Sequence, residues 1–315
     1  MPPSLTTGFA NHMAPGIRAI VGTNLGGRKS YYSVINNVET TVRNYEDYLA
    51  GTGLPIAVEK PQGENIVAFD PIEGLTKRLT PKVYAIAMEV SEEAWDDDLY
   101  ANKGSALRDG ANGLADSLAE RVEIEAHRPW TAEGFLTSAV LWPVLPEPTS
   151  TTVGFFNTTH AVITGAQGVA QGNRPTTDVD LTVTSYRAGN IQFKKYKNDQ
   201  GLRVPAISQP ARLIVAPDEE YNALEIMKAV YRPDSANMVT NFSPTMQLVC
   251  DPYLSDDADA WFLQANKHYA YFLWRKRPVL DSFDDRRARV AIHTILGRFS
   301  NAPVHWLGNY GSPGA

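Results

Sequence analysis

Gly104–His127 reads GSALRDGANGLADSLAERVEIEAH, and the spacing of its apolar residues decides the class of the chain. Leu107, Ala111, Leu114, Leu118 and Val122 recur at intervals of four, three, four and four, while Arg108, Asp109, Asp116, Glu120 and Arg121 fall off that stripe. A period near 3.6 predicts an amphipathic helix with one face to bury. Carried from about residue 104 to 128 it would run roughly 35 Å, even though Gly110 and Gly113 each cost about 1 kcal/mol against alanine. Such a rod needs a wide apolar surface to lie on.

On either side the period is two. In KPQGENIVAFDPIEGLTKRLTPKVYAIAMEV, Lys60 to Val90, the residues Tyr84, Ile86, Met88 and Val90 alternate with Ala85, Ala87 and Glu89, which predicts two strands separated by a polar excursion. Before it, SYYSVINNVETTVRNYEDYLAG allows a short helix or strands ending at Gly51. Beyond Pro143 come the loop VLPEPTSTT and the Gly-rich TGAQGVAQGNRPTTD, then a second helix marked by Tyr186, Gly189, Phe193 and Tyr196 and ending near Gly201. ARLIVAP reads as a buried strand, and PDEEYNALEIMKAVY as a helix with acidic residues in its first turn, where the dipole favours them. After MQLVCDPYL and the aromatic AWFLQANKHYAYFLWRKRPVL, the stretches RVAIHTILGRF and HWLGNY read as further strands. The class is α+β, without repeats.

At 315 residues the chain has length for about two domains. Its 43% hydrophobic and 20% charged content is that of a globular protein, and no run of about 18 apolar residues could span a bilayer. The first 25 residues show no basic start followed by an apolar block, so no secretory signal is expected. Cys250 is the single cysteine, which excludes an internal disulfide and a multi-thiolate zinc site. The net charge of -6 argues against a dedicated nucleic-acid binder.

Chemistry finds little foothold. VGTNLGGRKS, Val21 to Ser30, approaches a phosphate-binding loop, but Arg28 is inserted before Lys29 and Ser30 and no magnesium-binding aspartate follows. A glycine turn in an extended arm is the expectation there. His12, His127, His160, His268, His293 and His305 lack metal-ligand spacing, and no catalytic residue, cofactor site or metal site is expected. The acidic clusters Asp96–Asp98, Asp256 with Asp257 and Asp259, and Asp281 with Asp284 and Asp285 lack the glycine and terminal glutamate of an EF-hand loop. Lys194, Lys195 and Lys197 read as a solvated helix face beside Phe193 and Tyr196. Asn157-Thr158-Thr159 matches a glycosylation acceptor, which without a signal peptide has no use.

An ordered series of segments carries a resemblance. VETTVRNYEDYLAGTGLP, ENIVAFD, EVSEEAWDDDLYANKGSALRDGANGLADSLAERVE, GFFNTTHAV, LTVTSYRAGNIQFKKYKNDQGLRV, ARLIVAPDEEYNALEIM and LVCDPYLSDDADAWFLQA together resemble the HK97-fold major capsid proteins of tailed bacteriophages, nearest the Mu-like major head subunits. The resemblance covers most of the chain. It implies an HK97-like fold with an N-terminal arm (1–59), an extended loop (60–92), a peripheral domain with the long spine helix (93–204), an axial domain (205–262) and C-terminal strands completing the peripheral domain (263–315). It also implies a shell of homo-hexamers and homo-pentamers, icosahedral or prolate, assembled in the host cytoplasm around double-stranded DNA held by non-specific contacts. The implied partners are further copies, a portal, a scaffolding protein and, in some members, a decoration protein. No enzyme activity, cofactor or membrane is implied.

A lone two-stranded hairpin is marginal in water, so the extended loop needs an adjacent copy to lie on. Lys60, Glu64, Phe69, Asp70, Glu73, Lys77 and Arg78 are the expected intersubunit contacts, with Phe69 as the anchor. Two alternatives stay open: an encapsulin-like nanocompartment, which would enclose cargo protein instead of DNA, and a nucleotide-binding enzyme built on Gly22 to Ser30.

Overall fold

The computed structural model describes residues 9–49, 52–91, 93, 106–136, 145–146, 152–229, 231, 240–241, 246–285 and 287–315. Asp96 to Asp98 and most of the loop after Pro143 lie outside the described residues. Two sheets organise what is described.

The first sheet has strand order β1-β10-β11-β4, with β1 (Asn37–Thr40), β4 (Lys82–Ser91), β10 (Ala270–Asp285) and β11 (Val290–Pro303). β10 and β11 form one antiparallel hairpin, and β4 pairs with β11 from Ser91↔Val290 to Lys82↔Phe299. At about 3.3 Å per residue, β10 alone extends roughly 50 Å. That supplies the wide surface the apolar stripe requires. α1 (Phe9–Gly27) and α3 (Ala106–His127) lie on one face of the sheet; between them a four-residue turn of helix, α2 (Tyr32–Ile35), leads into β1. Ala111, Leu114, Leu118 and Val122 of the stripe are buried against Phe272, Trp274, Ile295 and Phe299, with Ile17 and Val21 of α1 closing the other side.

The second sheet runs β12-β9-β7-β8: β7 (Pro210–Val215), β8 (Gln247–Cys250), β9 (Trp261–Ala265) and β12 (Asn309–Ser312). Only β7 and β8 pair in parallel. α4 (Val183–Lys194) packs on it, started by a capping box between Thr182 and Ser185. The approach is close, since a β-carbon on Gly189 would lie 2.9 Å from the Tyr310 ring and 3.1 Å from that of Trp261. α5 (Glu220–Lys228) follows β7 through a 3-10 turn at Pro217–Glu219. Trp130, Phe135, Phe155, Phe156 and Phe262 fill the core in edge-on and stacked contacts, Trp130 meeting Phe262 at 5.5 Å and 89°.

Several expectations are corrected. The segment expected to hold a glycine turn is helix α1, which runs through Gly16, Gly22 and Gly26 because its buried stripe meets α3. The two strands expected between Lys60 and Val90 do not pair with each other: β4 joins β11, and β3 (Thr76–Leu79) pairs with β2 (Glu46–Leu49). Glu64–Asp70 is not a strand. The second helix stops at Lys194, not near Gly201, the chain then turning to an isolated bridge between Lys197 and Arg203. α4 and β12 both belong to the second core.

Two outcomes test this packing. Trp130→Ala should cost about 3–5 kcal/mol, the range for a fully buried aromatic, read by urea unfolding. His268 is buried between β9 and β10 and accepts the Ala270 N–H, and burial, with Arg212 nearby, holds it down to about 4. The unfolded chain binds a proton there near the ordinary value of about 6.5, which the folded protein refuses. That contribution is complete above about 6.5 and is lost as pH falls toward 4, by roughly 3 kcal/mol at most. Thermal melts across this window should therefore be flatter for His268→Asn than for the parent.

Candidate intersubunit surface

Thr52 and Ile72 close a loop at its root. Thr52 Oγ1 donates to the Ile72 carbonyl at 2.6 Å, and Asn198 Nδ2 donates to the Thr52 carbonyl at 3.4 Å, fixing the root to the segment after α4. Outward from it, residues 53–71 contain neither helix nor strand, and all but half-buried Pro55 are exposed. The chain reverses at Pro61–Glu64, where Glu64 N–H reaches the Pro61 carbonyl and Gly63 takes a φ of 87° that other residues resist. The two limbs face each other across a cleft of about 310 Å³ lined by Leu54, Val58, Ile66, Val67 and Phe69.

The loop displays large apolar side chains among its charged ones. Ile66 is 79% exposed, Ile56 69% and Phe69 37%. Full burial of a side chain of this size is worth about 1.5–3 kcal/mol, while an exposed ion pair is worth about 0–1 kcal/mol. Burial of these apolar side chains is therefore the larger available source of binding energy and ion pairing the smaller.

The expected contact residues separate into two groups. Lys60, Glu64, Phe69, Asp70 and Glu73 lie exposed on or beside the loop. Lys77 and Arg78 sit on β3, in the hairpin beneath it. Burial draws the Lys77 amine below its ordinary value. Arg78 is engaged within its own subunit: Nε and Nη2 each donate to an Asp47 carboxylate oxygen at 2.7 Å, and the guanidinium lies 3.9 Å from the Tyr45 ring centre. The arginine's hydrogen bond draws the Asp47 carboxyl below its usual range. The hairpin in turn stands on the first sheet, with Leu79 fully buried beside Leu273, Ala302 and Val304, and Tyr48 stacked on Tyr271 at 4.7 Å.

Leu54, Ile56 and Val58 precede the expected start of the loop. Their alternation over LPIAV was the available sign. The root at Thr52 and Asn198 had none, because those residues are 146 positions apart.

Gly22 to Ser30 does not form a phosphate cradle. Gly22, Gly26 and Gly27 are inside or at the end of α1, Arg28 is bound by Glu120 and Tyr253, and the Lys29 amine lies 4.5 Å from the Tyr31 ring centre. Among the described residues no group of three or more His, Cys, Asp or Glu is placed to hold a metal ion, and no helix is long and apolar enough to cross a membrane.

A family model described as phage capsid protein matches residues 73–299, which takes in β4, the long helix, strands β7, β8 and β9 of the second sheet and most of the β10–β11 hairpin. The chain belongs to the phage capsid protein family. Solved structures agree on the fold. The mature capsid subunit of bacteriophage PhiM1 is 11% identical, with a TM-score of 0.55 over 90% of this chain and 86% of that one. The capsid of a native GTA particle is 10% identical, at 0.54 over 90% of each chain. A chain of Mycobacterium phage Adephagia is 11% identical, at 0.53 over 90% of each. No curated protein matches. The architecture is therefore the α+β HK97-like capsid fold, and the protein is a shell-forming major capsid protein, a structural component of the virion shell.

For this phage capsid protein the Arg78–Asp47 pair has a testable role in aiming the loop. Arg78→Glu should speed amide exchange along Glu46–Leu49 and Thr76–Leu79, and the added swap Asp47→Arg should restore the slow rates.

Proposed function

We propose that residues 53–71 of each subunit lie across a neighbouring copy, and that this contact, repeated head to tail, closes rings of six and of five that tile the shell. The supporting observation is a loop whose large apolar side chains, Leu54, Ile56, Val58, Ile66 and Val67, are exposed, on a chain of the phage capsid family. A heterologous contact closes into a ring when its rotation divides the circle. Leu54, Ile56, Ile66 and Phe69 supply the holding surface, while Lys60, Glu64, Asp70 and Glu73 set register. Phe69 is the less exposed anchor, already partly covered by its own loop, so Ile66 and Ile56 have more area to bury. The shell encloses double-stranded DNA and is built in the host cytoplasm with a portal and a scaffolding protein, and it carries out no catalysis.

The loop's closed root sets the experiment. Since Thr52 and Ile72 already touch, residues 54–71 can be replaced by a short glycine linker without disturbing β3, whose Leu79 is buried. The trimmed chain should keep its circular dichroism and melting temperature and build no closed shells in negative stain. Normal shells from it would overturn the proposal, as would failure of the trimmed chain to fold. Ile66→Ser should weaken assembly more than Glu64→Lys, and high salt should shift only the latter.

A further inference from the structure

The long helix ends on a histidine set between acceptors. His127 Nδ1 lies 2.6 Å from the Glu123 carbonyl oxygen, and Nε2 lies 2.7 Å from Oδ2 of Asp251. A carbonyl oxygen only accepts, so Nδ1 carries a proton. The contact to Asp251 needs a second proton, on the ring or on the carboxyl. The pair thus holds one proton more than a neutral imidazole beside an ionised carboxylate, and both residues are buried.

Three parts of the chain meet at this point. Asp251 takes the Tyr253 N–H at 3.1 Å, and its own N–H donates to Val215 of β7, which ties it to the second sheet. Glu123, one turn before His127, has its carboxylate 3.7 Å from Nδ1 and accepts the N–H groups of Tyr31 and Tyr32, which ties in the N-terminal segment. Tyr253 stacks on the imidazole at 4.9 Å, and its hydroxyl donates to Glu120, which also binds Arg28. The other charged or titratable groups around it are Lys29 on the N-terminal segment, Asp116 and Glu125 on α3, Arg128 and Glu133 just beyond it, Asp257 in the turn after β8, and Cys250 with Glu220 of α5.

We propose that Glu123, His127 and Asp251 form a proton-dependent latch that holds the N-terminal segment, the long helix and the second sheet as one body, and that loss of the shared proton frees the joint. Its use rests on the shell reading, because a subunit placed in rings of both six and five needs a joint that can be reset. The latched form carries the proton that the two contacts require, so the hold is lost when rising pH removes it. Burial lifts the Glu123 carboxyl above its ordinary range, so at low pH it gives up Tyr31 and Tyr32 sooner than an exposed glutamate would.

The test uses the full chain with nitrogen-15-labelled histidine. At about pH 6 both His127 nitrogens should give protonated-type signals, and toward about pH 8.5 the Nε2 signal should change while amide exchange at Tyr32 and Tyr253 speeds by about tenfold beyond the base-catalysed rise, the loss of one charge-assisted hydrogen bond. Asp251→Asn replaces the carboxylate with a carboxamide that donates to a neutral ring, so its exchange should follow only the base-catalysed rise. His127→Gln, which has no titrating proton, should do the same and serves if the first variant fails to fold. The latch is overturned if the parent shows no excess exchange across this range, or if either variant keeps the parent's pH profile. Negative stain of the same samples reads the shell separately: titration without shells would sink the shell reading alone, and shells without titration would sink the latch alone.

Discussion

Everything described here leans on one contact, the apolar stripe of Ala106–His127 against the strands β4, β10 and β11. Leu114, Leu118 and Val122 each contribute about 1.5–3 kcal/mol on burial, and their partners are strands from opposite ends of the chain. By pinning residues 82–91 beside 290–303, the helix fixes where the chain before β4 must emerge. The β2–β3 hairpin follows from that point, and the loop projects from the hairpin.

The loop reverses the logic of the core. Inside the subunit, each large apolar group finds a partner on the same chain, as with Phe299 among Tyr84, Phe272 and Trp274. On residues 53–71 the same kinds of side chain are left in water, where they contribute nothing to the fold. A monomer gains nothing by displaying them; the proposed contact with a neighbouring copy would cover them. The apolar loop and the family membership therefore argue for the same thing from independent directions.

The buried polar groups at the end of the helix belong to a different economy. Glu123, His127 and Asp251 would each be costly to bury alone, and each is held by named partners from another part of the chain. Where the apolar stripe holds the helix to the first sheet without preference for pH, these groups join it to the second sheet in a way that depends on a proton.

Much of this was legible before the fold was known. The period of 3.6 in Gly104–His127, the alternation in Tyr84–Val90 and the apolar run ARLIVAP gave the elements correctly, because a side chain's orientation relative to its neighbours in sequence is set by local geometry. The α+β class and the family followed from their order. Partners were not legible. That β4 joins β11, that β3 turns back to β2, that Gly22 lies in a helix and that β12 returns to the second sheet depend on which apolar faces meet across long separations, and any of several strands offers the same hydrogen-bonding edge. The site divided the same way: the sequence by itself determined that the stretch Lys60–Arg78 is charged and studded with apolar residues, while only the tertiary structure decided that Arg78 is committed to Asp47 and that the root lies at Thr52, because hydrogen-bond partners are chosen by proximity in space.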